Sequence, residues 1–488
     1  MGTWGQDHRV SVSCIVKPKY RKRIEVFTKL DDAFLTGSLS SWPLLPPRKY
    51  STYRVQSEHL GVWVYIMTHS MQKPYEFDTS IVAQLEKKIR RLLGGISSLV
   101  TASGYPFSRC ESLPIRRPAT DSRWYETPLK EPLPPSEPWR HYQEETVPES
   151  DISITRNALG ELPILSWPKD VEYDNLGHPN RKIFETSYSH YKKPGFGTVV
   201  YVLDSGFDLS HPEFVNTDVQ DWIFTGKFPA EEDVEYFEES MPVQLQHGTA
   251  MAGLIVGKRT GIAQDAELVV ATRINGYGVD EAFGSFDGIL RIYDHIKAYN
   301  PDRPCIINVS LIFKTSVGEL AAGVIEELNA LGNVIVVLAA GNGKPTEKLT
   351  GNPTILATRK DMKRLIIAGG SNGLFRNLYQ FDDKFLNMVW APVDRSVLSV
   401  FPDPRTPEDQ IRDHMYYQRF PGGGTSVAAA LVSGMLATYI SRNMGSFGAN
   451  QMDDAVKKLK DLSYKRNPGD RDGVKIIWNG ITSDQWPE

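Results

Sequence analysis

Near-continuous aliphatic runs constrain the fold of this chain more than any other sequence feature. From Gly160 onward such runs alternate with stretches whose apolar residues have helical spacing; the runs are Val199–Leu203, Glu267–Ala271, Cys305–Leu311, Val334–Ala340 and Leu365–Ala368. Strands that are apolar on both faces are typical of a parallel sheet that helices cover on both sides. The sequence therefore predicts an α/β fold with a doubly wound, mostly parallel sheet over residues 156–488.

A smaller region and a proline-rich segment precede this predicted sheet. Residues 1–110 contain the apolar run Leu60–Ile66 and then apolar residues at helical spacing over 81–92, which predicts a small N-terminal α/β region. Residues 111–155 hold eight prolines interleaved with charged residues. That density excludes helix and sheet interiors and predicts an extended linker.

Composition and charge exclude several classes of function. The formal net charge of −4 argues against general nucleic-acid binding, which needs a dominant basic surface. The three cysteines, Cys14, Cys110 and Cys305, are too few for a disulfide framework. No apolar run is long enough to span a membrane, and no secretory signal is visible at the N-terminus. We expect an intracellular protein; the alternative is a secreted protein whose leader is missing from this chain.

Four polar residues lie where predicted regular elements begin or end. Asp204 follows the first aliphatic run, His247 opens a stretch of small residues, Asn342 follows the run that ends at Ala340, and Ser426 stands between three glycines and three alanines. Each has an ordinary alternative: a turn residue for Asp204 or Asn342, a helix cap for His247 or Ser426. The occurrence of all four residues in one order favours a shared catalytic role over four separate structural roles. Asp204 and Asn342 also follow predicted strands, and parallel sheets bind ligands at the carboxyl ends of their strands.

The segments around these residues resemble those of the subtilisin-like serine proteases, the subtilases, from about Leu162 to Gly480. The motifs that carry the resemblance are Asp204-Ser205-Gly206, His247-Gly248-Thr249, Ala340-Gly341-Asn342 and Gly424-Thr425-Ser426. The chain order Asp, His, Ser is the one that subtilisin uses. The resemblance implies that Ser426 is the nucleophile, His247 its base and Asp204 the residue that orients the imidazole. It also implies that Asn342 stabilises the oxyanion and that the substrates are polypeptides.

The resemblance extends to the substrate-binding cleft, where it becomes weaker. Ser310 and Leu311 match the strand that pairs with the substrate backbone, and Gly341 matches the opposite wall of the specificity pocket. The family usually continues with two glycines after the strand, whereas this chain has Ile312 and Phe313. The cleavage preference therefore cannot be carried over from the family.

We expect no metal and no cofactor in this chain. Many subtilases have a calcium-binding loop after the histidine helix, but here Gly253 passes to Ile262 with no room for one, although Glu213 occupies the position of a carboxylate ligand. Two insertions, 231–239 and 402–419, are expected to be surface loops. The alternatives are an acidic rim that attracts basic peptides for the first and a lid over the cleft for the second.

The predicted function is that of a serine endopeptidase that cleaves internal peptide bonds through an acyl-enzyme. One alternative is a catalytically impaired interaction protein on the same fold, and another is peptide ligation at the same site. A nucleotide-binding domain would need a glycine-rich phosphate loop after the first strand, and Asp204-Ser205-Gly206 is not one. We expect no nucleic-acid or membrane partner. The resemblance also raises intramolecular inhibition by residues 1–110 acting as a propeptide, with an unrelated small α/β domain as the alternative.

Overall fold

The computed structural model describes residues 8–16, 50–57, 62–71, 100–106, 143–146, 150–225, 247–272, 281–311, 313, 315–342, 356, 358–378, 386–400, 413–420, 423–444 and 450–486. The helix predicted over 81–92 and the insertion at 231–239 lie outside the described residues, as does the first part of the insertion at 402–419.

Two small antiparallel sheets precede the main one. The strands of the first are β1 (His8–Val16), β2 (Tyr50–Ser57), β3 (Val62–Met71) and β4 (Val100–Pro106), in the order β2-β3-β1-β4. The second consists of β5 (Gln143–Thr146), β6 (Ile152–Arg156) and β7 (Tyr188–Tyr191), in that order. Strands β5 and β6 therefore form where the sequence predicts the end of a linker. The segment around β5 has no proline between positions 138 and 148, so nothing in it prevents pairing. The domain boundaries at 110 and 155 stay predictions.

The main sheet has nine strands. They are β8 (Val199–Asp204), β9 (Val219–Phe224), β10 (Glu267–Thr272), β11 (Cys305–Val309), β12 (Val334–Ala339), β13 (Leu365–Ser371), β14 (Met388–Pro392), β17 (Tyr464–Lys465) and β18 (Lys475–Ile476), in the order β17-β18-β14-β13-β12-β11-β8-β10-β9. Only β17 pairs antiparallel in this sheet. A separate pair, β15 (Ser396–Ser399) and β16 (Tyr417–Phe420), is antiparallel. The predicted mostly parallel α/β fold is confirmed.

Helices cover both faces of the main sheet. In the described residues these helices are α3 (residues 247–256), α4 (Glu281–Tyr299), α5 (Thr315–Ala330), α6 (Thr425–Arg442) and α7 (Gln451–Leu462). Two shorter helices, α1 (Leu162–Ser166) and α2 (Lys182–Thr186), precede the main sheet in the chain. Val200 and Val202 of β8 share a core with α3, α6 and α7. Tyr201 and Leu203 share the opposite core with α4 and α5. Both faces of β8 are thus buried, as its unbroken apolar sequence predicts.

Helix α6 runs through the core and fixes the position of the glycine-rich turn before it. Its first sixteen residues, Thr425 to Ile440, are buried, which suits a helix without a polar stripe. Close packing depends on small residues, because a Cβ at Gly434 would lie 2.9 Å from the Cβ of Ile262. Within the part of the chain that the structure describes, no helix has both the length and the apolar character needed to cross a bilayer.

The first small sheet contacts the outer face of helix α4. The hydroxyl of Ser57, at the end of β2, donates to Asp294 Oδ1 over 2.5 Å, and Ser57 is fully buried. This contact joins the N-terminal strands to the face of the main sheet that α4 and α5 cover.

Candidate active site

The strand order places one predicted site residue, Asp204, at the point where the chain reverses its winding direction. After β8 the chain forms β10 on one side of that strand and then β11 on the other side. Crevices at the carboxyl ends of strands form at such reversal points. Asp204, the last residue of β8, is 2% exposed there. Ser310, which follows β11 directly, lies at the same edge.

A carboxylate and an imidazole are in direct contact at this edge. His247, the first described residue of helix α3, donates from Nδ1 to Asp204 Oδ1 over 2.7 Å. An ionised carboxylate only accepts hydrogen bonds, so the shared proton belongs to Nδ1 and leaves Nε2 as an acceptor. The same carboxylate oxygen accepts from the backbone N–H and the hydroxyl of Ser205, at 2.6 and 3.1 Å. Asp204 Oδ2 is buried and has no hydrogen-bond partner among the described residues.

A glycine allows the histidine helix to approach the end of β8. A Cβ at Gly248 would clash with the carbonyl oxygen of Gly206 and would lie 3.2 Å from the Cβ of Asp204. The residue after His247 therefore has to be glycine for the imidazole to reach the carboxylate. This close approach explains why a glycine directly follows the histidine in the sequence.

Ser426 is the second residue of helix α6 and is fixed to the end of β11. Its hydroxyl donates to the carbonyl oxygen of Ser310 over 3.0 Å, and the hydroxyl of Ser310 donates to the carbonyl oxygen of Ser426 over 3.0 Å. The amide of Asn308 donates to Ser310 Oγ at 2.9 Å. As the second residue of the helix, Ser426 has one of the four backbone N–H groups that a helix start leaves without an intrahelical partner.

Asn342 is oriented by the residue before the serine. Its Oδ1 accepts from the backbone N–H of Thr425 at 2.9 Å and from the Thr425 hydroxyl at 3.0 Å. The hydroxyl of Thr425 accepts in turn from the N–H of Gly341 at 2.9 Å. With the amide oxygen held on this side, Nδ2 is directed away from Thr425, and the residue is exposed. The sequence alone assigns no role to Thr425, although its position directly before Ser426 indicates that it lies at the site.

The structure gives the positions of three of the four predicted substrate-binding residues, whose role stays a prediction. Ser310 and Gly341 lie beside the turn that carries Ser426, through the hydrogen bonds given above. Gly341 is buried and has a φ of +100°, a value that favours glycine. Leu311 is half-buried and packs against the core on the α4 face. Ile312 lies outside the described residues.

Protein donors surround the carboxylate of Glu213, which the resemblance matches to a calcium ligand. Oε1 accepts from the hydroxyl of Tyr417 at 2.6 Å and from the N–H of Arg259 at 3.1 Å. Oε2 accepts from the N–H and the hydroxyl of Thr260 at 3.1 and 3.0 Å. Gly257 packs so closely on Oε2 that a Cβ would clash with it. Across the described ranges, no three His, Cys, Asp or Glu side chains are grouped as metal ligands.

Several known proteins are similar to this chain in sequence or in fold. A subtilisin-like protease of Coccidioides posadasii is 27% identical over 309 residues, which are 62% of this chain and 66% of that protein. The major intracellular serine protease of Bacillus subtilis is 29% identical over 51% of this chain and 70% of its own length. A cold-adapted subtilisin-like serine proteinase structure covers 66% of this chain and 98% of its own, with 20% identity and a TM-score of 0.41.

The family itself is established by sequence over more than half of the chain. The sequence model of the subtilase family, Peptidase S8, matches residues 195–467. This match includes Asp204, His247, Asn342 and Ser426, and it confirms the resemblance drawn from their motifs. The chain belongs to the subtilase family of serine proteases.

Proposed function

We propose that this subtilase is a serine endopeptidase in which Ser426 attacks the peptide bond, His247 is the base and Asp204 orients the imidazole. The observation that carries the proposal is the 2.7 Å contact between His247 Nδ1 and Asp204 Oδ1. That contact fixes the tautomer in which Nε2 can accept a proton.

The chemistry proceeds in two acyl-transfer steps. Ser426 Oγ forms a bond to the carbonyl carbon of the substrate while its proton passes to His247 Nε2. The imidazolium then gives this proton to the amine that leaves, and an acyl-enzyme remains. In the second step a water molecule gives its proton to the same nitrogen and attacks the ester, which releases the carboxylic acid and restores the Ser426 hydroxyl.

Two donors are available for the oxyanion that forms in each step. Asn342 Nδ2 is one, since Thr425 holds the amide oxygen on the other side. The backbone N–H of Ser426 is the second, at a helix start where the helix dipole also favours negative charge. Thr425 thus contributes by positioning the amide.

The serine hydroxyl has to change its hydrogen bond before it reacts. In the structure it donates to the carbonyl of Ser310, so attack requires a rotation of the side chain toward His247 Nε2. Catalytic hydrogen bonds are often formed only when substrate is bound. The same observation favours the second candidate function, an interaction protein whose serine stays bound to Ser310 and never reacts.

A covalent probe distinguishes the two functions. We expect a fluorophosphonate to label the purified full chain at Ser426, and we expect Ser426→Ala to abolish labelling and peptide hydrolysis. His247→Ala, which keeps the hydroxyl but removes the base, should retain no more than trace labelling. A folded wild-type protein that is never labelled would favour the interaction protein.

We also propose that the N-terminal region restrains the protease. The contact of Ser57 with Asp294 supports this, because it attaches β2 to the catalytic sheet through α4. A site for a second, specific protease placed within the proline-rich stretch 111–142 of the full chain tests it. Activity should rise after cleavage and release of the N-terminal part; unchanged activity would contradict inhibition.

The compartment is a further proposal. The likeness to a major intracellular protease supports an intracellular location. Fractionation of the source cells with an antibody against the catalytic region tests it, and recovery from the culture medium alone would contradict it.

A further inference from the structure

We propose that Glu161 is a positioning residue for Ser426 and that it acts through Ser396 and Gly423. The inference rests on the proposed protease activity, since its effect is measured on the reactivity of the serine. Glu161 is 3% exposed and directly precedes helix α1.

The first step of the argument is the contact between Glu161 and the start of strand β15. Glu161 Oε1 accepts from the backbone N–H of Arg395 and, at 3.4 Å, from the hydroxyl of Ser396. The preceding residue, Gly160, has a φ of +58°, and a Cβ there would lie 2.8 Å from the backbone nitrogen of Val397. The chain before α1 is therefore in direct backbone contact with this strand.

The second step leads from β15 to the turn that carries the serine. Ser396 is fully buried, and a Cβ at Gly423 would lie 2.8 Å from its hydroxyl oxygen and 3.0 Å from the carbonyl oxygen of Val393. Gly423 precedes Ser426 by three residues. Strand β15 also pairs with β16, in which Ser396 lies opposite Phe420. A displacement of Ser396 is thus transmitted to Ser426 through its contact with Gly423.

The third step excludes a ligand site as the reason for burying this carboxyl group. The cavity beside Glu161 has a volume of about 10 Å³, the space of one water molecule, so no larger partner fits. Its charged or titratable neighbours are His178, Asp394 and Arg395. Burial, with a smaller contribution from Asp394, raises the pKa of Glu161 to about 7, while the contacts with Arg395 and Ser396 oppose the rise. Glu161 Oε1 can accept the hydrogen bonds from Arg395 and Ser396 whether the carboxyl group is protonated or ionised.

The test measures the second-order rate of fluorophosphonate labelling at Ser426, corrected for the folded fraction by thermal melting. Glu161→Ala should label about tenfold more slowly, because small displacements of a nucleophile cost one to two orders of magnitude in rate. Glu161→Gln should stay within about twofold of wild type, since its amide oxygen can accept the same hydrogen bonds. Ser396→Ala should label several-fold more slowly, which keeps the proposal testable if Glu161→Ala does not fold.

A control variant removes a partly buried carboxylate that is remote from the turn. Glu267 begins strand β10 and accepts from Arg303 Nη1 over 2.7 Å. Glu267→Ala should lower the melting temperature and leave the labelling rate of the folded protein unchanged. Equal rates for Glu161→Ala and Glu267→Ala, or equal losses in Glu161→Ala and Glu161→Gln, would overturn the proposal. Absence of labelling in the wild type would instead contradict the protease activity itself.

Discussion

Two buried carboxylates, Asp204 and Glu213, lie nine residues apart and have opposite surroundings. They are 2% and 1% exposed. Asp204 accepts all of its hydrogen bonds from the described residues on Oδ1, and its buried Oδ2 has none. Glu213 accepts on both oxygens, from Tyr417 and from the residues that follow helix α3.

The difference fits the proposed catalytic role of Asp204 and a structural role of Glu213. Burial of an unpaired carboxylate oxygen costs free energy, and such costs persist where the function uses them. In the mechanism proposed above, the charge of Asp204 stabilises the imidazolium that forms on His247. The charge of Glu213 is already balanced by fixed donors, so no free lone pair faces a reacting group. We therefore expect substitutions at the first residue to affect the rate and those at the second to affect stability.

The largest expected effect is that of Asp204→Asn on turnover. The asparagine amide has the shape of the carboxyl group but can donate to His247 Nδ1. The imidazole proton then lies on Nε2, so His247 is in the tautomer that cannot accept the proton of Ser426. The expected loss in kcat is on the order of 10⁴. Active-site-titrated peptide hydrolysis measures it, and the melting temperature should change little, because the neutral amide is less costly to bury while the amide nitrogen that faces Nδ1 no longer accepts the hydrogen bond from Ser205. A loss below tenfold would show that Asp204 is no more catalytic than Glu213.

Glu213→Ala should have the converse result. Its removal deletes the acceptor of the hydrogen bonds from Arg259, Thr260 and Tyr417, and each lost bond costs about 1–3 kcal/mol before water compensates. We expect the free energy of unfolding to fall by about 4 kcal/mol, measured by denaturant titration in a Ser426→Ala background that prevents autolysis. In the active background, kcat per titrated site should stay within a factor of about two. A selective loss of kcat would remove the contrast between the two carboxylates.

The sequence predicts the place of Asp204 in the fold far better than it predicts the partners of Glu213. The strand ends could be located because unbroken apolar runs stop at Asp204 and Ala340, and the order of the polar residues after them has a known counterpart. The parallel sheet follows from the same runs. The roles of Ser426 and Asn342 stay predictions that labelling and turnover measurements test.

The partners of the buried carboxylates could not be predicted, because they come from distant parts of the chain. Tyr417 is 204 residues from Glu213, and Ser396 is 235 residues from Glu161. No local pattern specifies such a contact, since each residue has an ordinary surface or turn role in its own segment. The hydrogen bonds of Thr425 were missed for a different reason: a threonine at a helix start is expected to be a cap.

Glu161 extends the comparison to a third buried carboxyl group, one that stays protonated below neutrality. Burial raises its pKa from an ordinary value of 4.5 to about 7. Between these values the folded protein holds a proton that the unfolded chain has lost, so this group lowers stability as the pH rises through that window. The penalty is complete above about pH 7 and amounts to about 3 kcal/mol.

Glu161→Gln tests this pH dependence because it stays neutral throughout. In the Ser426→Ala background, denaturant titration at pH 4 and pH 8 should show the stability difference between variant and parent shift by about 3 kcal/mol in favour of the variant. A difference for Glu161→Gln that is independent of pH would mean that its carboxyl group ionises normally.

The smallest expected effect isolates a single hydrogen bond of the structural carboxylate. Tyr417→Phe removes the hydroxyl that donates to Glu213 Oε1 over 2.6 Å, while the ring keeps its place under the guanidinium of Arg259, 5.6 Å away. A hydrogen bond to a charged group contributes about 1.5–3 kcal/mol, and Oε1 keeps its bond from Arg259, so we expect a loss near 1.5 kcal/mol. The matched change beside Asp204 is Ser205→Ala, which removes the 3.1 Å bond from the Ser205 hydroxyl to Asp204 Oδ1. It should lower kcat several-fold with little change in stability, whereas Tyr417→Phe should lower stability with kcat intact. Each variant removes one hydroxyl that donates to a buried carboxylate. An identical response of kcat and of stability in the two variants would mean that Asp204 and Glu213 do not differ in their effects on catalysis and stability.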